Sequence, residues 1–132
     1  MTSDVNILDP ILSLFSPAAS GVRRVAPAEA VQLVTEGRAV LIDVREADEW
    51  ESGVAQPAAL LPLSDLTSAR RIWKPFLDQV GGREIILYCR SGSRSGHAAR
   101  LLAAEGFKTA NAGGLSDWRR AGLPIGKPEH RR

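Results

Sequence analysis

The residues with the clearest chemical potential lie in one short segment around Cys89, the only cysteine of the chain. The apolar run Ile85-Ile-Leu-Tyr precedes Cys89, and a loop of glycine, serine and arginine follows it, ahead of a segment with helical periodicity. Backbone N–H groups of a tight loop, the positive end of the next helix and the charges of Arg90 and Arg94 each lower the pKa of a thiol. The pattern therefore predicts a thiolate at Cys89.

The rest of the loop suits a small anionic or sulfur-bearing group beside that thiolate. Gly92 lets the backbone turn without a Cβ and approach a ligand closely. Three hydroxyl donors accompany it: Ser91, Ser93 and Ser95. The alternative is a buried cysteine that acts only as a small hydrophobe, and the flanking arginines and glycine count against it. His97 can act as a general base, but its place inside the helix start favours an ordinary surface or capping role.

Short apolar runs alternate with helix-like segments, which is typical of an α/β domain. The predicted strands are 23–25, 39–44, 59–61, 84–88 and 108–112. Two of them contain continuous apolar runs, Ala39-Val-Leu-Ile-Asp-Val and Ile85-Ile-Leu-Tyr, as expected of central strands in a parallel sheet. Because ligands bind beyond the carboxyl ends of such strands, Cys89 falls at the predicted binding edge.

Helix signals fall between the strands. Proline is favoured in the first turn and glycine just past the last one. The predicted helices are one that begins at Pro27 and ends near Gly37, and others over 46–52, within 65–80 with a break near Pro75, over 95–105 and over 115–121.

Composition sets the broad class of the protein. The chain has 132 residues, of which 44% are hydrophobic and 24% charged, as in soluble globular domains and unlike disordered or fibrous chains. The net charge of +2 does not argue for nucleic acid. Cys and His are too few for a zinc site built on one chain. The early uncharged stretch, 10–22, is too short and broken to cross a bilayer, and no Lys or Arg precedes Arg23. We expect a soluble, cytoplasmic protein without a membrane or nucleic-acid partner.

The two termini differ from the predicted domain, residues 22–126. Residues 1–21 form an extension that contains a capped helix start at Asp9-Pro10 and an apolar face. A short helix packed on its own domain is favoured there, with a partner contact or disorder as alternatives. Residues 127–132 form a basic, solvated tail.

A recognisable pattern runs through segments that occur in order along the chain. They are Leu41-Ile-Asp-Val-Arg-Glu with Glu49-Trp-Glu-Ser-Gly, then Ala59-Leu-Leu-Pro-Leu, then Cys89-Arg-Ser-Gly-Ser-Arg-Ser, and finally Asn111-Ala-Gly-Gly-Leu-Ser-Asp-Trp with Ala121-Gly-Leu-Pro. Together they resemble the rhodanese (thiosulfate sulfurtransferase-like) family in its small single-domain form. The resemblance implies a three-layer domain with a central, mostly parallel five-stranded sheet flanked by helices.

The resemblance also implies an activity. Cys89 attacks a sulfane sulfur donor such as thiosulfate, keeps the sulfur as a persulfide and passes it to a thiophilic acceptor in two displacement steps. Arg94 is the second catalytic residue and stabilises the thiolate and the anionic donor, while Arg90 contributes to donor binding. The loop residues implied to surround the substrate are Ser91, Gly92, Ser93 and Ser95. No metal or organic cofactor is implied.

Structural roles are implied for residues outside the loop. Asp43 and Arg45, at the end of an earlier strand, are expected to brace the loop through charged hydrogen bonds. Gly113, Gly114 and Trp118 are expected to pack beside the site.

Loop length separates two chemistries associated with this fold. The spacing from Cys89 to Arg94 is C-x4-R, which resembles the sulfurtransferases, whereas the related phosphatases and arsenate reductases have C-x5-R. The smaller cradle makes a phosphatase the weaker interpretation. One departure is Val54, which stands where the family usually has a histidine. We expect this change to affect local loop geometry more than catalysis.

Three functions follow from these features. The first is a persulfide-forming sulfurtransferase, the second is a sulfur-relay or binding module that works with a protein partner, and the third is a non-catalytic regulatory domain. The intact loop counts against the third. Since the chain has no second cysteine, the acceptor must be external: a small thiol, cyanide or a protein thiol.

Overall fold

A parallel sheet forms the centre of the computed structural model, which describes residues 22–128. Its five strands lie in the order β1-β6-β5-β2-β4, and every neighbouring pair is parallel. Their bounds are β1 Val22–Arg24, β2 Ala39–Asp43, β4 Ala59–Leu60, β5 Glu84–Cys89 and β6 Thr109–Gly114. The predicted α/β architecture with a central five-stranded sheet is confirmed. The expectations for residues 1–21 and 129–132 lie outside the described residues.

Two apolar layers cover the sheet, because alternate residues of each strand point to opposite faces. On β5, Ile85, Leu87 and Cys89 face one layer, which includes Leu102. Ile86 and Tyr88 face the other layer, which also contains Ala30, Leu115 and Trp118. All six residues of β5 are buried, so Cys89 ends a strand enclosed on both sides.

The helices flank the sheet in these two layers. Their bounds are α1 Pro27–Thr35, α2 Ala47–Trp50, α3 Leu63–Leu66, α4 Trp73–Asp78, α5 Ser93–Ala104 and α6 Leu115–Arg120. The helix predicted to start at Ser95 begins two residues earlier, directly after the loop. None of the helices within residues 22–128 is long and apolar enough to cross a membrane.

The helical segment predicted within 65–80 is interrupted, but Pro75 does not cause the interruption. Pro75 lies in the first turn of α4, where a missing N–H leaves no hydrogen bond unmade. The interruption comes earlier, because the Asp65 carboxylate accepts hydrogen bonds from the backbone N–H groups of Arg71, Ile72 and Trp73 at 2.9, 2.9 and 3.0 Å. A side chain therefore satisfies the donors that a continuous helix would use.

A second, two-stranded antiparallel sheet was not predicted. It pairs β3 Val54–Ala55 with β7 Ile125–Gly126, and strands of two residues are too short to show a hydrophobic period. Val54, expected to stand where the family usually has a histidine, is fully buried there. Lys127, placed in the solvated tail, is exposed, and its Nζ donates to the Glu51 carbonyl at 2.7 Å.

Candidate active site

The loop that follows Cys89 lies directly on strand β6. Cys89 pairs with Gly114, whereas Leu87 pairs with Asn111, so the register slips by one residue between them. Such a bulge bends a strand and re-aims its residues. A Cβ added at Gly114 would overlap the carbonyl group of Arg90, so only glycine permits this approach of loop and strand.

Gly92 joins the loop to helix α5. It is the N-cap residue of α5 with a φ of 102°, a backbone conformation that favours glycine. A Cβ added there would lie 3.3 Å from the Gly113 Cα atom. Gly113 and Gly114 therefore lie against the loop.

The sulfur of Cys89 lies inside a cradle of hydrogen-bond donors. The residue is 1% exposed, the Gly92 N–H donates to Sγ at 3.0 Å, and the Ser95 hydroxyl oxygen lies 3.5 Å from Sγ. Burial raises the pKa of the thiol. The hydrogen bonds from the Ser95 hydroxyl and from the amides of Ser95, Gly92 and Ser91 outweigh that effect, so the pKa of Cys89 lies below its usual 9.0.

Asn111 is a buried member of the site that was not predicted. Its Oδ1 accepts hydrogen bonds from the Ser95 hydroxyl at 2.8 Å and from the Gly113 N–H at 3.0 Å. Its Nδ2 donates to the Gly92 carbonyl at 3.0 Å. The available signal was an amide in an otherwise small and apolar strand end, Thr109-Ala-Asn-Ala, next to the strand that carries Cys89.

The guanidinium of Arg94 makes its hydrogen bonds to Glu49 of α2. Nη1 and Nη2 donate to the two carboxylate oxygens at 2.7 and 2.9 Å. The hydrogen bonds from Arg94 lower the pKa of Glu49 to about 2, against a smaller opposing effect of burial. Within the described residues, Arg94 makes no hydrogen bond to Sγ; its charge acts on Cys89 through space.

Asp43 and Arg45 form a buried ion pair beside α2. Arg45 Nη2 lies 2.8 Å from Asp43 Oδ2, and the side chains are 4% and 0% exposed, respectively. Arg45 also donates to the carbonyls of Glu49 and Gly53 at 3.3 and 2.7 Å, and Trp50 Nε1 donates to Asp43 Oδ1 at 3.3 Å. The pair thus braces the segment that carries Glu49, which in turn binds Arg94 in the first turn of α5.

Trp118 supports the strand from the opposite face of the sheet. It is fully buried and stacks on Tyr88 with ring centroids 5.8 Å apart, one residue before Cys89. The Tyr88 hydroxyl oxygen accepts a hydrogen bond from the Ala55 N–H at 2.9 Å. This stack anchors the end of β5, from which the sulfur projects.

A cavity of about 510 Å³ opens beside the loop. Its lining includes Arg90, Ser91, Glu49, Leu115, Ser116 and Arg119. Since Glu49 is neutralised by Arg94, the excess charge of the cavity is positive and comes from Arg90 and Arg119. Ser91 of the loop and Ser93, the first residue of α5, are both exposed, and His97 lies on the exposed side of α5.

The fold and the loop define a rhodanese-type domain, and comparison with known proteins agrees. The profile of the family described as "Rhodanese-like domain" matches residues 26–121. The chain therefore belongs to the rhodanese-like domain family.

Individual relatives cover the same region. A protein of Synechocystis sp. is 35% identical over 108 residues, 80% of this chain and 57% of its own length. A sulfurtransferase of Allochromatium vinosum is 36% identical over 92 residues, 68% of this chain and 80% of its own length. The chain thus spans little more than half of the first relative. The crystal structure of a rhodanese-related protein from Thermoplasma volcanium matches with a TM-score of 0.65 at 25% identity, covering 79% of this chain and 97% of that one.

Proposed function

We propose that the protein is a sulfurtransferase that carries sulfur as a persulfide on Cys89. The observation that carries the proposal is the buried Sγ of Cys89. It accepts a hydrogen bond from the Gly92 N–H at 3.0 Å, where helix α5 begins. Converging amides and the positive end of the helix stabilise a thiolate and, after reaction, the charge on the outer sulfur of a persulfide. The relative named a sulfurtransferase supports this chemistry.

The first half-reaction loads the enzyme. The Cys89 thiolate attacks the outer sulfur of a sulfane donor such as thiosulfate. A sulfur–sulfur bond forms to Cys89 while the sulfur–sulfur bond of the donor breaks, and sulfite leaves with the electron pair. Arg90, on the wall of the cavity, supplies positive charge for the anionic donor and leaving group, and Arg94, paired with Glu49, holds α2 beside the start of α5.

The second half-reaction transfers the sulfur from Cys89 to the acceptor. A thiolate or cyanide attacks the outer sulfur of the persulfide, and the Cys89 thiolate leaves into the same cradle of amides. Because Cys89 is 1% exposed, the cradle shields the inner sulfur and presents only the outer one to the acceptor. The positive cavity supports an acceptor that bears acidic groups, held by Arg90 and Arg119.

A sulfur-relay module with a protein donor is the second candidate. The chain has a single cysteine, so the persulfide cannot be passed to a second thiol of the same chain. Both candidates use Cys89 in the same way and differ in the donor that loads it.

The intact mass of the purified protein tests the proposal. Incubation with thiosulfate is expected to add one sulfur atom to the wild type and none to the Cys89→Ser variant, and cyanide is expected to remove it as thiocyanate. Loading only by a protein persulfide donor would favour the relay module. No loading by either donor would overturn both candidates.

A further inference from the structure

The Ser95 hydroxyl stands between two groups that can accept its proton. Its oxygen is 2.8 Å from Asn111 Oδ1 and 3.5 Å from Cys89 Sγ. A hydroxyl has one proton to donate and two lone pairs with which to accept. Ser95 is fully buried. Solvent therefore does not replace its hydrogen bond at the acceptor, Asn111 Oδ1 or Cys89 Sγ, that does not receive the proton.

The orientation of the Asn111 amide is determined by its neighbours. Nδ2 donates to the Gly92 carbonyl at 3.0 Å, and Oδ1 accepts from the Gly113 N–H at 3.0 Å. A flipped amide would place its oxygen against a carbonyl and its NH₂ against an N–H. Oδ1 is therefore the atom that faces Ser95, and it takes the serine proton at the shorter distance.

We propose that Asn111 is a positioning residue that competes with the Cys89 thiolate for the proton of the Ser95 hydroxyl. While the sulfur is protonated or carries a second sulfur, Ser95 donates to Asn111 and accepts the S–H when one is present. When the thiol releases its proton to solvent, the hydroxyl turns and donates to the negative sulfur. The hydroxyl keeps its own proton throughout.

This competition has a definite sign. By holding the Ser95 proton, Asn111 works against the thiolate and raises the pKa of Cys89. Asn111 also donates a hydrogen bond to the Gly92 carbonyl and so holds Gly92 in place. Because the Gly92 N–H points at Sγ, this second effect lowers the pKa of Cys89. Only the first effect requires the Ser95 hydroxyl, so the two effects can be separated by removing that hydroxyl.

The charged groups of the elements packed around the loop are the same in the wild type and in every variant of this test. They come from the loop, from α5, from α2, from α6 and from β1: Arg90, Arg94, Arg100, Glu49, Asp117 and Arg24. A double-mutant cycle cancels their contributions to the thiol pKa and isolates the coupling between Asn111 and Ser95.

The test measures the pKa of Cys89 from the pH dependence of its alkylation by iodoacetamide in the wild type, Ser95→Ala, Asn111→Ala and the double variant. Ser95→Ala is expected to raise the pKa by about one unit, because the thiolate loses a donor. Asn111→Ala is expected to lower it in the presence of Ser95, and not to lower it in the Ser95→Ala background. Equal shifts in both backgrounds would overturn the proposal.

Thr109→Val is the matched control for Asn111. Thr109 lies on the same strand and is buried, and its hydroxyl donates to the Ala99 carbonyl of α5 at 3.0 Å, away from Sγ. Its replacement loosens the contact between β6 and α5 without touching the Ser95 proton. We expect it to leave the pKa of Cys89 unchanged.

A second measurement uses the wild-type protein and so does not depend on the folding of an Asn111 variant. The side-chain amide resonances of Asn111 in ¹⁵N NMR are expected to shift with pH at the midpoint of Cys89 ionisation, and to lose most of that shift in Ser95→Ala. Resonances that ignore the ionisation would refute the switch.

The inference rests on the proposed function only in taking Cys89 as the reactive group. Both readouts report thiol ionisation and need no sulfur donor. Absence of sulfur loading with intact coupling would reject the proposed function alone, whereas loading without coupling would reject the Asn111 proposal alone.

Discussion

The guanidinium of Arg94 reaches both carboxylate oxygens of Glu49, at 2.7 and 2.9 Å, although the two residues are 45 positions apart. Glu49 belongs to the short helix α2, and Arg94 belongs to the first turn of α5. The side chains are 27% and 34% exposed, so solvent weakens the attraction between them. The main consequence of the Arg94–Glu49 ion pair is geometric. It joins helix α5, which follows the Cys89 loop, to helix α2, which follows β2.

Arg94→Lys is expected to lower kcat/KM for sulfur transfer by about tenfold or more, because an ammonium group cannot reach both oxygens of Glu49 and keep the planar orientation of the guanidinium. Arg100→Lys, which replaces an exposed arginine further along α5, is the matched control and should retain the wild-type rate. Steady-state assays with thiosulfate compare the two. Wild-type kinetics in Arg94→Lys would show that the forked contact is dispensable.

The lowered pKa of Glu49, about 2 instead of 4.5, predicts an acid-dependent stability. A carboxyl group whose pKa is depressed by folding contributes fully above its unfolded value and loses that contribution as the pH falls through the folded value. The free energy of unfolding should therefore decrease from pH 4.5 towards pH 2, and Glu49→Gln should flatten part of that decrease. Urea titrations across this range measure both slopes, and identical slopes would contradict the assignment.

Gly114→Ala is expected to destabilise the protein by about 2–3 kcal/mol, since its Cβ has no room against the Arg90 carbonyl. Gly82→Ala is the matched control, because a Cβ at Gly82 meets nothing within 4 Å. Chemical denaturation gives both values. Equal stabilities of the two variants would contradict the close approach of the Arg90 carbonyl to Gly114 of β6.

Arg45→Met is expected to cost about 3–5 kcal/mol of unfolding free energy, because it leaves the Asp43 carboxylate buried without its charged partner. Arg38→Met removes an arginine from an ion pair in which Arg38 is 69% exposed, and it should cost less than about 1 kcal/mol. The double variant Asp43→Leu with Arg45→Met should recover part of the loss. A small cost for Arg45→Met alone would contradict the bracing of α2.

Charge reduction in the cavity is expected to raise KM for thiosulfate while changing kcat little. Arg90→Gln and Arg119→Gln each remove one positive charge from the lining, and a rise of about three- to tenfold is expected at low salt. Arg120→Gln, on the same helix as Arg119 but paired with Asp117 at 2.9 Å, should not change KM. Equal effects of Arg119→Gln and Arg120→Gln would assign the change to overall charge instead of the cavity.

The sequence alone determined the strand, loop and helix that carry the sulfur. A buried apolar run, a glycine-containing loop and a helical period are local signals, and they identified β5, Cys89 and α5 to within two residues at the helix start. The same local logic identified Pro27 as the first residue of α1. These features depend on backbone preferences and burial along one segment, which a sequence displays directly.

Contacts between segments were decided by the tertiary structure. The pairing of Arg94 with Glu49, and the link from Asn111 to Ser95 and Gly92, require the order of parallel strands and the one-residue slip between β5 and β6. The interruption before α4 likewise depended on where the Asp65 carboxylate points. A hydrogen bond requires two groups within about 3 Å, and a sequence period specifies which face a residue occupies without specifying what stands opposite.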